Sequence, residues 1–446
     1  MIELIKKCCL EHRDDLFFTS HSGSLTFGQL WDRASRVAAS LAGGSLPVVV
    51  RGHKEPYMPV VFLACLMVGR AYVPCDTFIP QRRLDFILEA TKTDTVIDCE
   101  PDWTGPALSV FPAKDTDIAY MIFTSGSTGT PKGVCITQAN LKCFVGWLDT
   151  LAPMNSYKNV RVLNQASYSF DLSVCDLYYS MCFGHTCGCL ETTGADGFAD
   201  ITTETARFDP HVAVMTPSFA KLAMCDMDFR AANIPSLQCI FFCGEPLEKK
   251  TCQKLMKRFP GITLLNAYGP TECTCAVSAV AITEKELELP YLPVGRIGET
   301  SVEVFIEDGE LVLRGDALSP GYLAGKIGGF VEDRYYTGDL GEITEDGLIF
   351  CRGRKDSQIK LNGYRIELSE IQNRLASFEG VETCKVVAEK DSEGHVKYIR
   401  AIAAGKDLDS ENLREQLAKY VPEYMIPKVI ETVAEIKLTA NGKNAL

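Results

Sequence analysis

The sequence predicts an α/β fold with two domains: a large domain with mostly parallel sheets flanked by helices plus an antiparallel β subdomain, and a small, mobile α+β domain at the carboxyl end. Three observations predict it: a length of 446 residues, short apolar runs followed by helix-like segments, and a change of pattern near Val302. A single hydrophobic core rarely grows beyond about 250–300 residues, so the length indicates at least two domains.

The first part of the chain alternates strand-like and helix-like segments. One example is the Val-rich run 47–51, which precedes the apolar segment 58–68. The stretch 238–272 repeats the order, with a strand, a turn at Gly244, a helix, a turn at Gly261, and a strand that ends in a loop. Such units build parallel sheets, which bind ligands at the carboxyl ends of their strands. We therefore expect the site residues in loops that follow strands.

After Val302 the pattern changes to short alternating strands. Asp308-Gly309 and Asp346-Gly347 are typical of tight hairpin turns. This pattern predicts an antiparallel subdomain within the first domain.

A polar stretch follows Arg354 and opens a new unit of strand, helix, strand and helix. We place a hinge at Asp356. The predicted domains are therefore 1–354 and 355–446.

Composition excludes several classes of function. A net charge of −13 argues against a surface that binds nucleic acid, because phosphate backbones require clustered Lys and Arg. The 19 cysteines are scattered, and neither a signal peptide nor an apolar run of membrane-spanning length is visible. We expect reduced thiols, no membrane insertion and a cytoplasmic protein.

The segment 118–134, IAYMIFTSGSTGTPKGV, carries the strongest chemical signal. A strand-like run ends at Phe123 and opens into a loop of Thr, Ser and Gly, whose backbone N–H groups and hydroxyls suit phosphate oxygens. It is not a Walker A loop, because Pro131 and Gly133 flank the lysine. A flexible linker is disfavoured, since we expect a buried strand before the loop and an apolar helix after it. The predicted phosphate-binding residues are Thr124, Ser125, Gly126, Ser127, Thr128, Gly129 and Lys132.

TSGSTGTPKG resembles the phosphate loop of the adenylate-forming superfamily, which includes acyl-CoA ligases, luciferases and the adenylation domains of nonribosomal peptide synthetases. The resemblance recurs in order along nearly the whole chain, in the strings LMVGRAYVPCD, SFDLSVCD, FFCGEPL, NAYGPTE, GELVLRG, YYTGDLG, GRKDSQIKLNGYRIELSEI and LTANGK. It implies ATP and Mg²⁺ as cofactors.

The resemblance also assigns roles to residues. It implies that Tyr268 stacks on adenine, that Asp339 binds the ribose hydroxyls, that Arg354 lies near ribose and phosphate, and that Glu272 helps to hold Mg²⁺. Without the resemblance, Asp339 and Arg354 are each more often solvated turn charges, and NAYGPTE is a tight Gly-Pro turn. The remaining predicted nucleotide-binding residues are Gly244, Glu245, Asn266, Ala267, Gly269, Pro270 and Thr271.

Lys443, in the string LTANGK, is the predicted catalytic residue. In the family this lysine touches the substrate carboxylate and the α-phosphate, where an ammonium stabilises the charge that develops during transfer. Leu438 stands where relatives usually carry Pro or Met, and a lysine so near a carboxyl end is otherwise a surface charge.

Asp171 indicates an amino acid as the acid that is activated. In the resemblance it pairs with the substrate's α-ammonium, while the alternative role is an ordinary helix N-cap. The pocket positions that the family implies are Leu172, Cys175, Ser218, Cys243, Ala267, Gly269 and Cys275.

MTPSFAKL and FFCGEPL resemble the D-alanine–carrier protein ligases most, in which a cysteine at the position of Cys243 crowds the α-carbon. Cys275 stands where those ligases usually have Val, so glycine, L-alanine and serine stay open as substrates.

GYRIELSEI, at 363–371, resembles the segment that enters the site after the small domain rotates about Asp356. The expected acceptor is the phosphopantetheine thiol of a carrier protein on a separate chain.

Three alternatives remain beside D-alanine activation and transfer. They are a freestanding peptide-synthetase-type adenylating enzyme for another amino acid, an acyl-CoA ligase, and a non-catalytic nucleotide-binding relative. Asp171 speaks against the second, because a carboxylate is costly to bury beside an uncharged acyl chain. The presence of Lys443, Glu272 and Asp339 speaks against the third.

Overall fold

A computed structural model of the 446-residue chain describes residues 1–126, 130–191, 198–391 and 394–434. The chain forms two compact units. The first unit comprises Met1–Thr77, Thr91–Ile122 and Gly133–Gly353, and the second comprises Phe78–Ala90, Phe123–Lys132 and Arg354–Leu446.

The described residues contain both helices and strands. The α-helices are α1 (Ile2–Glu11), α2 (Phe27–Leu41), α3 (Tyr57–Val68), α4 (Gln81–Thr91), α5 (Gln138–Leu148), α6 (Leu172–Phe183), α7 (Phe198–Phe208), α8 (Pro217–Ala223), α9 (Lys249–Arg258), α10 (Glu284–Glu288), α11 (Leu368–Ala376) and α12 (Ser410–Leu417). The strands of the first half are β1 (Leu16–Ser20), β2 (Gly23–Thr26), β3 (Val48–Arg51), β4 (Tyr72–Cys75), β5 (Thr95–Ile97), β6 (Ile118–Thr124), β7 (Lys132–Thr137), β8 (Arg161–Asn164), β9 (Thr186–Cys189), β10 (Val212–Met215), β11 (Cys239–Phe242), β12 (Thr263–Tyr268) and β13 (Ser278–Ile282). The later strands are β14 (Gly295–Arg296), β15 (Glu303–Glu307), β16 (Glu310–Arg314), β17 (Gly321–Tyr322), β18 (Phe330–Val331), β19 (Arg334–Ile343), β20 (Leu348–Arg354), β21 (Gln358–Leu361), β22 (Tyr364–Glu367), β23 (Val381–Lys390), β24 (Val396–Gly405) and β25 (Val429–Val433).

The largest sheet has the strand order β13-β12-β11-β10-β8-β9-β1-β2. Its inner strands pair in parallel, whereas the edge strands β13 and β2 are antiparallel to their neighbours. Because β8, β11 and β12 run the same way, the loops that follow them lie at one edge of the sheet.

A second sheet has the order β17-β7-β6-β4-β3-β5, in which β5, β3, β4 and β6 pair in parallel. We expected an apolar helix directly after the phosphate loop. The structure instead has strand β7 there, and the apolar helix α5 follows it. The reason is local. Val134, Cys135 and Ile136 are buried strand residues, and Thr137 then caps α5 by accepting a hydrogen bond from the backbone N–H of Asn140.

The third sheet of the first unit is antiparallel, with the order β14-β20-β19-β16-β15 and β18 beside β19. Asp308 and Gly309 turn β15 into β16 with φ angles of 50° and 77°, as a two-residue hairpin requires. The antiparallel subdomain is therefore present where it was predicted.

Helices α3 and α6 are enclosed on every side. Helix α3 is apolar throughout, and α6 is mainly apolar but also buries Ser173, Asp176 and Ser180. Each residue from Tyr57 to Met67 and from Leu172 to Cys182 is buried. A helix that is hydrophobic all round is stable only when it is enclosed by other elements, and α6 contacts α1, α5, β8, β9 and β10. None of the helices in the described residues combines the length and the apolar character that crossing a bilayer requires.

The second unit holds the hairpin β21–β22, helix α11, the pair β23–β24 with β25 parallel to β24, and helix α12. The sequence interpretation expected a single strand before α11. Asn362 and Gly363, with φ angles of 53° and 83°, instead turn the chain back and produce a hairpin. The hydrophobic core of the second unit includes Ile366, Ile371, Leu375 and Leu417.

Candidate functional site

Three loops at the carboxyl ends of β8, β11 and β12 carry most of the predicted site residues of the first unit. The first leads from β8 to Asp171, the second holds Cys243 to Glu245, and the third runs from Gly269 to Val277. A direct contact joins the first and third loops, because the Thr271 hydroxyl donates a hydrogen bond of 2.6 Å to Oδ2 of Asp171. Residues far apart in sequence thus meet where a parallel sheet binds its ligands.

Asp171 stands at the N-cap position of α6 but makes no side-chain capping hydrogen bond. Its carboxylate is directed to Thr271 instead. The N-cap alternative therefore does not describe what this side chain does. A carboxylate that is oriented and partly exposed can bind a cationic group of a ligand.

The loop after β12 is tightly packed. A Cβ atom on Gly269 would lie 2.5 Å from Cα of Ala276 and 2.7 Å from the carbonyl oxygen of Cys275, so only glycine fits there. Thr274 and Cys275 are buried with positive φ angles of 52° and 74°. The Cys243 thiol approaches the Cys275 carbonyl oxygen at 3.9 Å, which brings two predicted pocket residues together. Burial, with a smaller contribution from Asp171, raises the pKa of the Cys275 thiol, so that the thiol is neutral and behaves as a small apolar group.

Tyr268 and Asp339 form a second contact of the predicted site. The Tyr268 hydroxyl donates to Oδ2 of Asp339 at 2.7 Å, and both residues are buried. The backbone N–H of Asp339 donates to the Thr337 hydroxyl at 3.0 Å, which fixes the main chain at this residue. Burial, and next the Asp339 carboxylate, raises the pKa of Tyr268, so the phenol keeps its proton. The residues that the resemblance assigns to adenine and to ribose are therefore neighbours.

Glu272 is fully buried, and its Oε1 accepts a hydrogen bond of 2.7 Å from the Tyr322 hydroxyl. Its carbonyl oxygen accepts from the backbone N–H of Ser319 at 2.9 Å. Within the described ranges, no group of three or more His, Cys, Asp or Glu residues could hold a metal ion. One carboxylate nevertheless fits Mg²⁺, which often takes only one or two protein carboxylates and completes its shell with water and substrate phosphates.

The other predicted residues of the first unit lie nearby. Gly244 follows β11 with a φ angle of 93°, and Glu245 accepts a hydrogen bond of 3.0 Å from the backbone N–H of Ser218. The side-chain amide of Asn266 donates to the Pro293 carbonyl at 2.7 Å. Ala267 lies in β12, and Pro270 precedes the short 3₁₀ turn Thr271–Cys273.

The phosphate loop belongs to the second unit. Thr124 ends β6 and Lys132 begins β7. The Ser125 hydroxyl donates to the Arg365 carbonyl at 2.9 Å and accepts from the N–H of Glu367 at 3.1 Å. Ser127, Thr128 and Gly129, like Lys443, lie outside the described residues.

The N–H of Gly126 donates to Oε2 of Glu370 at 3.2 Å, while the Arg83 guanidinium lies 3.3 Å from Oε1. Burial raises the pKa of Glu370. The backbone N–H of Gly126 is therefore directed at a carboxyl oxygen of Glu370. The sequence interpretation missed Glu370 and Arg83. The second acidic residue in GYRIELSEI was the available signal for Glu370, and no local signal marked Arg83.

Arg354 and Asp356 form a bidentate pair with distances of 2.7 and 2.6 Å. Burial alone would raise the pKa of Asp356, but the hydrogen bonds and charge of Arg354 outweigh it and hold the pKa below its usual value. The predicted hinge residue and the predicted nucleotide-binding arginine are thus direct partners.

Two protein-family models match the chain. The first, described as AMP-binding enzyme, matches residues 5–109 and 99–323, and the second, described as AMP-binding enzyme C-terminal domain, matches residues 370–443. Among curated relatives, a D-alanine--D-alanyl carrier protein ligase of Bacillus velezensis is 36% identical and covers 96% of this chain and 94% of its own length. A protein of the same name from Listeria monocytogenes is 37% identical over 89% of this chain and 87% of its own length.

Solved structures share the fold. An NRPS protein containing adenylation and PCP domains has a TM-score of 0.87 at 23% identity, covering all of this chain and 82% of that protein. A Vibrio cholerae adenylation domain, solved with glycyl-adenosine-5'-phosphate, has a TM-score of 0.85 at 20% identity, with coverage of 99% and 95%. These likenesses confirm the predicted α/β fold class.

Proposed function

The chain belongs to the AMP-binding enzyme family and is an adenylate-forming ligase, and on that basis we propose that it activates D-alanine as D-alanyl-AMP and passes it to a carrier thiol. The observation that carries the proposal is the Asp171 carboxylate, oriented by Thr271 at the carboxyl ends of the parallel strands. The names of the relatives at 36% and 37% identity support D-alanine and a carrier protein as the substrates.

In the first half-reaction, Asp171 binds the α-ammonium of the amino acid, and the neutral thiols of Cys243 and Cys275 border its side chain. The neutral thiols disfavour a charged side chain, and Cys243, at the position where a cysteine crowds the α-carbon in the D-alanine ligases, favours a small one. Because the difference of one methylene is worth only about 1–3 kcal/mol, this pocket selects mainly by size.

The nucleotide is bound by Tyr268 and Asp339 at adenine and ribose, and by the phosphate loop, with Arg354 near ribose and phosphate. Glu272 would hold Mg²⁺, which would neutralise phosphate charge when bound. Lys443 provides an ammonium to the carboxylate and the α-phosphate, where it stabilises the developing charge as pyrophosphate leaves.

In the second half-reaction, the small domain 355–446 rotates about Asp356 and exchanges Lys443 for the segment 363–371. The phosphopantetheine thiol of a carrier protein, on a separate chain, then attacks the acyl-adenylate and releases AMP. The ion pair between Arg354 and Asp356 is a contact that can break and form again as such a hinge moves. We place the reaction in the cytoplasm, because all 19 cysteines lie among the described residues as free thiols, which persist in a reducing compartment.

A second candidate is an adenylating enzyme for another small amino acid. Cys275 supports it, because a thiol replaces the usual Val of the D-alanine ligases at the pocket wall. Glycine, L-alanine and serine are its substrate candidates.

Pyrophosphate exchange over a panel of glycine, both alanines and both serines tests the proposal. D-Alanine should give the highest kcat/KM and exceed L-alanine at least tenfold. Equal rates for the two alanines would remove D-alanine ligation, whereas a preference for glycine or serine would support the second candidate.

A further inference from the structure

A buried polar cluster lies where the ends of β3, β4 and β8 meet. Asp76 follows β4 and is buried. Its Oδ2 accepts a short hydrogen bond from the Ser167 hydroxyl and lies 2.9 Å from Nδ1 of His53. Its backbone N–H donates to the Ser169 hydroxyl at 2.8 Å, and that hydroxyl also contacts the Pro74 carbonyl at 3.3 Å. One aspartate thus holds two serines of the loop after β8.

The cluster contains Ser, His and Asp but is not a nucleophilic triad. In a triad the histidine stands between the serine and the carboxylate. Here the Ser167 hydroxyl and the His53 ring both bind the same carboxylate oxygen of Asp76. The Ser167 hydroxyl donates its hydrogen bond to Asp76 and not to His53, so the arrangement holds the loop in place.

Lys54 anchors the start of the same loop. Its ammonium is buried and donates to the carbonyl oxygens of Gln165 at 2.8 Å and Leu190 at 2.6 Å. The loop is therefore tied to charged groups at both Gln165 and Ser167, and a turn in which the N–H of Phe170 donates to the Ser167 carbonyl at 3.0 Å leads directly to Asp171.

We propose that Asp76 is a positioning residue of the amino-acid site. By fixing Ser167 and Ser169, and being itself oriented by His53, it sets the place of the Asp171 carboxylate without touching the substrate. The inference rests on the proposed function, in which Asp171 binds the ammonium. A displacement of about 1 Å at such a group can cost roughly 10²-fold in rate.

Pyrophosphate exchange on Asp76→Ala, with KM measured separately for ATP and for the best amino acid, tests this role. We expect the amino-acid KM to rise about 10- to 100-fold while the ATP KM stays within about threefold. Asp76→Asn keeps one acceptor oxygen and should restore part of the loss.

Asp209→Ala is the matched control. The Asp209 carboxylate likewise accepts hydrogen bonds from a serine, from the Ser236 hydroxyl at 2.6 Å and from the Ser236 backbone N–H at 3.0 Å. Asp209, however, precedes β10 and so lies at the opposite ends of the strands. Its substitution should leave both KM values unchanged.

Equal rises of both KM values in Asp76→Ala, or the same amino-acid effect in Asp209→Ala, would overturn the inference. If Asp76→Ala does not fold, the double substitution Ser167→Ala with Ser169→Ala removes the hydrogen bonds that join Asp76 to both serines and keeps its contact with His53, and an unchanged amino-acid KM there is equally decisive against the inference. Absence of exchange by the unmodified enzyme with every amino acid would instead sink the proposed function.

Discussion

Replacing Asp171 by asparagine tests the ammonium site most directly. Asparagine keeps the size of the side chain and one acceptor oxygen for Thr271, which donates to Asp171 at 2.6 Å. The substitution therefore removes the negative charge with little change of shape. It leaves Tyr268 and Asp339, the residues proposed to bind adenine and ribose, in contact with each other.

The size of the effect follows from the loss of one partner of a charge pair. Such truncation costs about 2–4 kcal/mol when the pair is desolvated, and each 1.4 kcal/mol is a factor of ten, so kcat/KM for the amino acid should fall about 30- to 700-fold. Asp171 is only partly exposed before the ligand binds, and a bound amino acid would complete its burial.

Pyrophosphate exchange with D-alanine and with propionate separates charge from packing. Propionate lacks the ammonium, so Asp171→Asn should leave its low rate unchanged or raise it. Asp149→Asn, at an exposed aspartate after α5, is the control for a charge change alone. Equal losses with D-alanine and propionate would refute the electrostatic reasoning.

Three further predictions follow from other residues. Lys443→Ala should lower pyrophosphate exchange by about 10²–10³-fold while thioester formation from preformed adenylate largely survives, and equal loss of both would contradict its assigned role. Gly269→Ala should lower stability by about 1–3 kcal/mol in urea unfolding, because its Cβ meets backbone atoms at 2.5 and 2.7 Å, whereas Gly105→Ala, with nothing within 4 Å, should be neutral. Burial lowers the pKa of His185 from 6.5 to about 3, and its Nδ1 accepts the N–H of Val160 at 3.4 Å. Because folding lowers this pKa, the free energy of unfolding is unaffected by His185 above pH 6.5 and falls below it by up to about 1.4 kcal/mol per pH unit toward pH 3. His185→Gln should therefore lose less stability than the unmodified protein between pH 7 and 5 in thermal unfolding. Parallel losses in the two proteins would contradict this.

The parallel sheet and its loops were predictable because the local signals agree with one another. The run 238–272 contains its strands, its helix and its two glycine turns in the expected order, and the structure has β11, α9 and β12 there. The family resemblance and the ligase class, which rested on ordered strings along the chain, are confirmed by the family matches.

Other features depended on tertiary contacts that no local pattern shows. Val134 to Ile136 were expected to lead into a helix, yet their pairing within a sheet made them a strand. The bond from Thr271 to Asp171 joins residues 100 positions apart, and its donor was assigned only to the nucleotide. Asp76 lies within a string used for the resemblance, but its two serine partners lie beyond residue 166, so its structural role was invisible in sequence.

The loop from Gly269 to Val277 connects two strands, β12 and β13, that pair with each other on either side of it. Tyr268 pairs with Ser278 across β12 and β13, and the N–H of Val277 donates to the Tyr268 carbonyl at 2.7 Å. Its span is therefore fixed, so insertions would break the register of the strands, whereas an exchange that keeps the length of the loop leaves their pairing intact. The nine residues of this loop could therefore be replaced by the corresponding nine residues of a relative, which would alter substrate choice while the strand pairing stays the same.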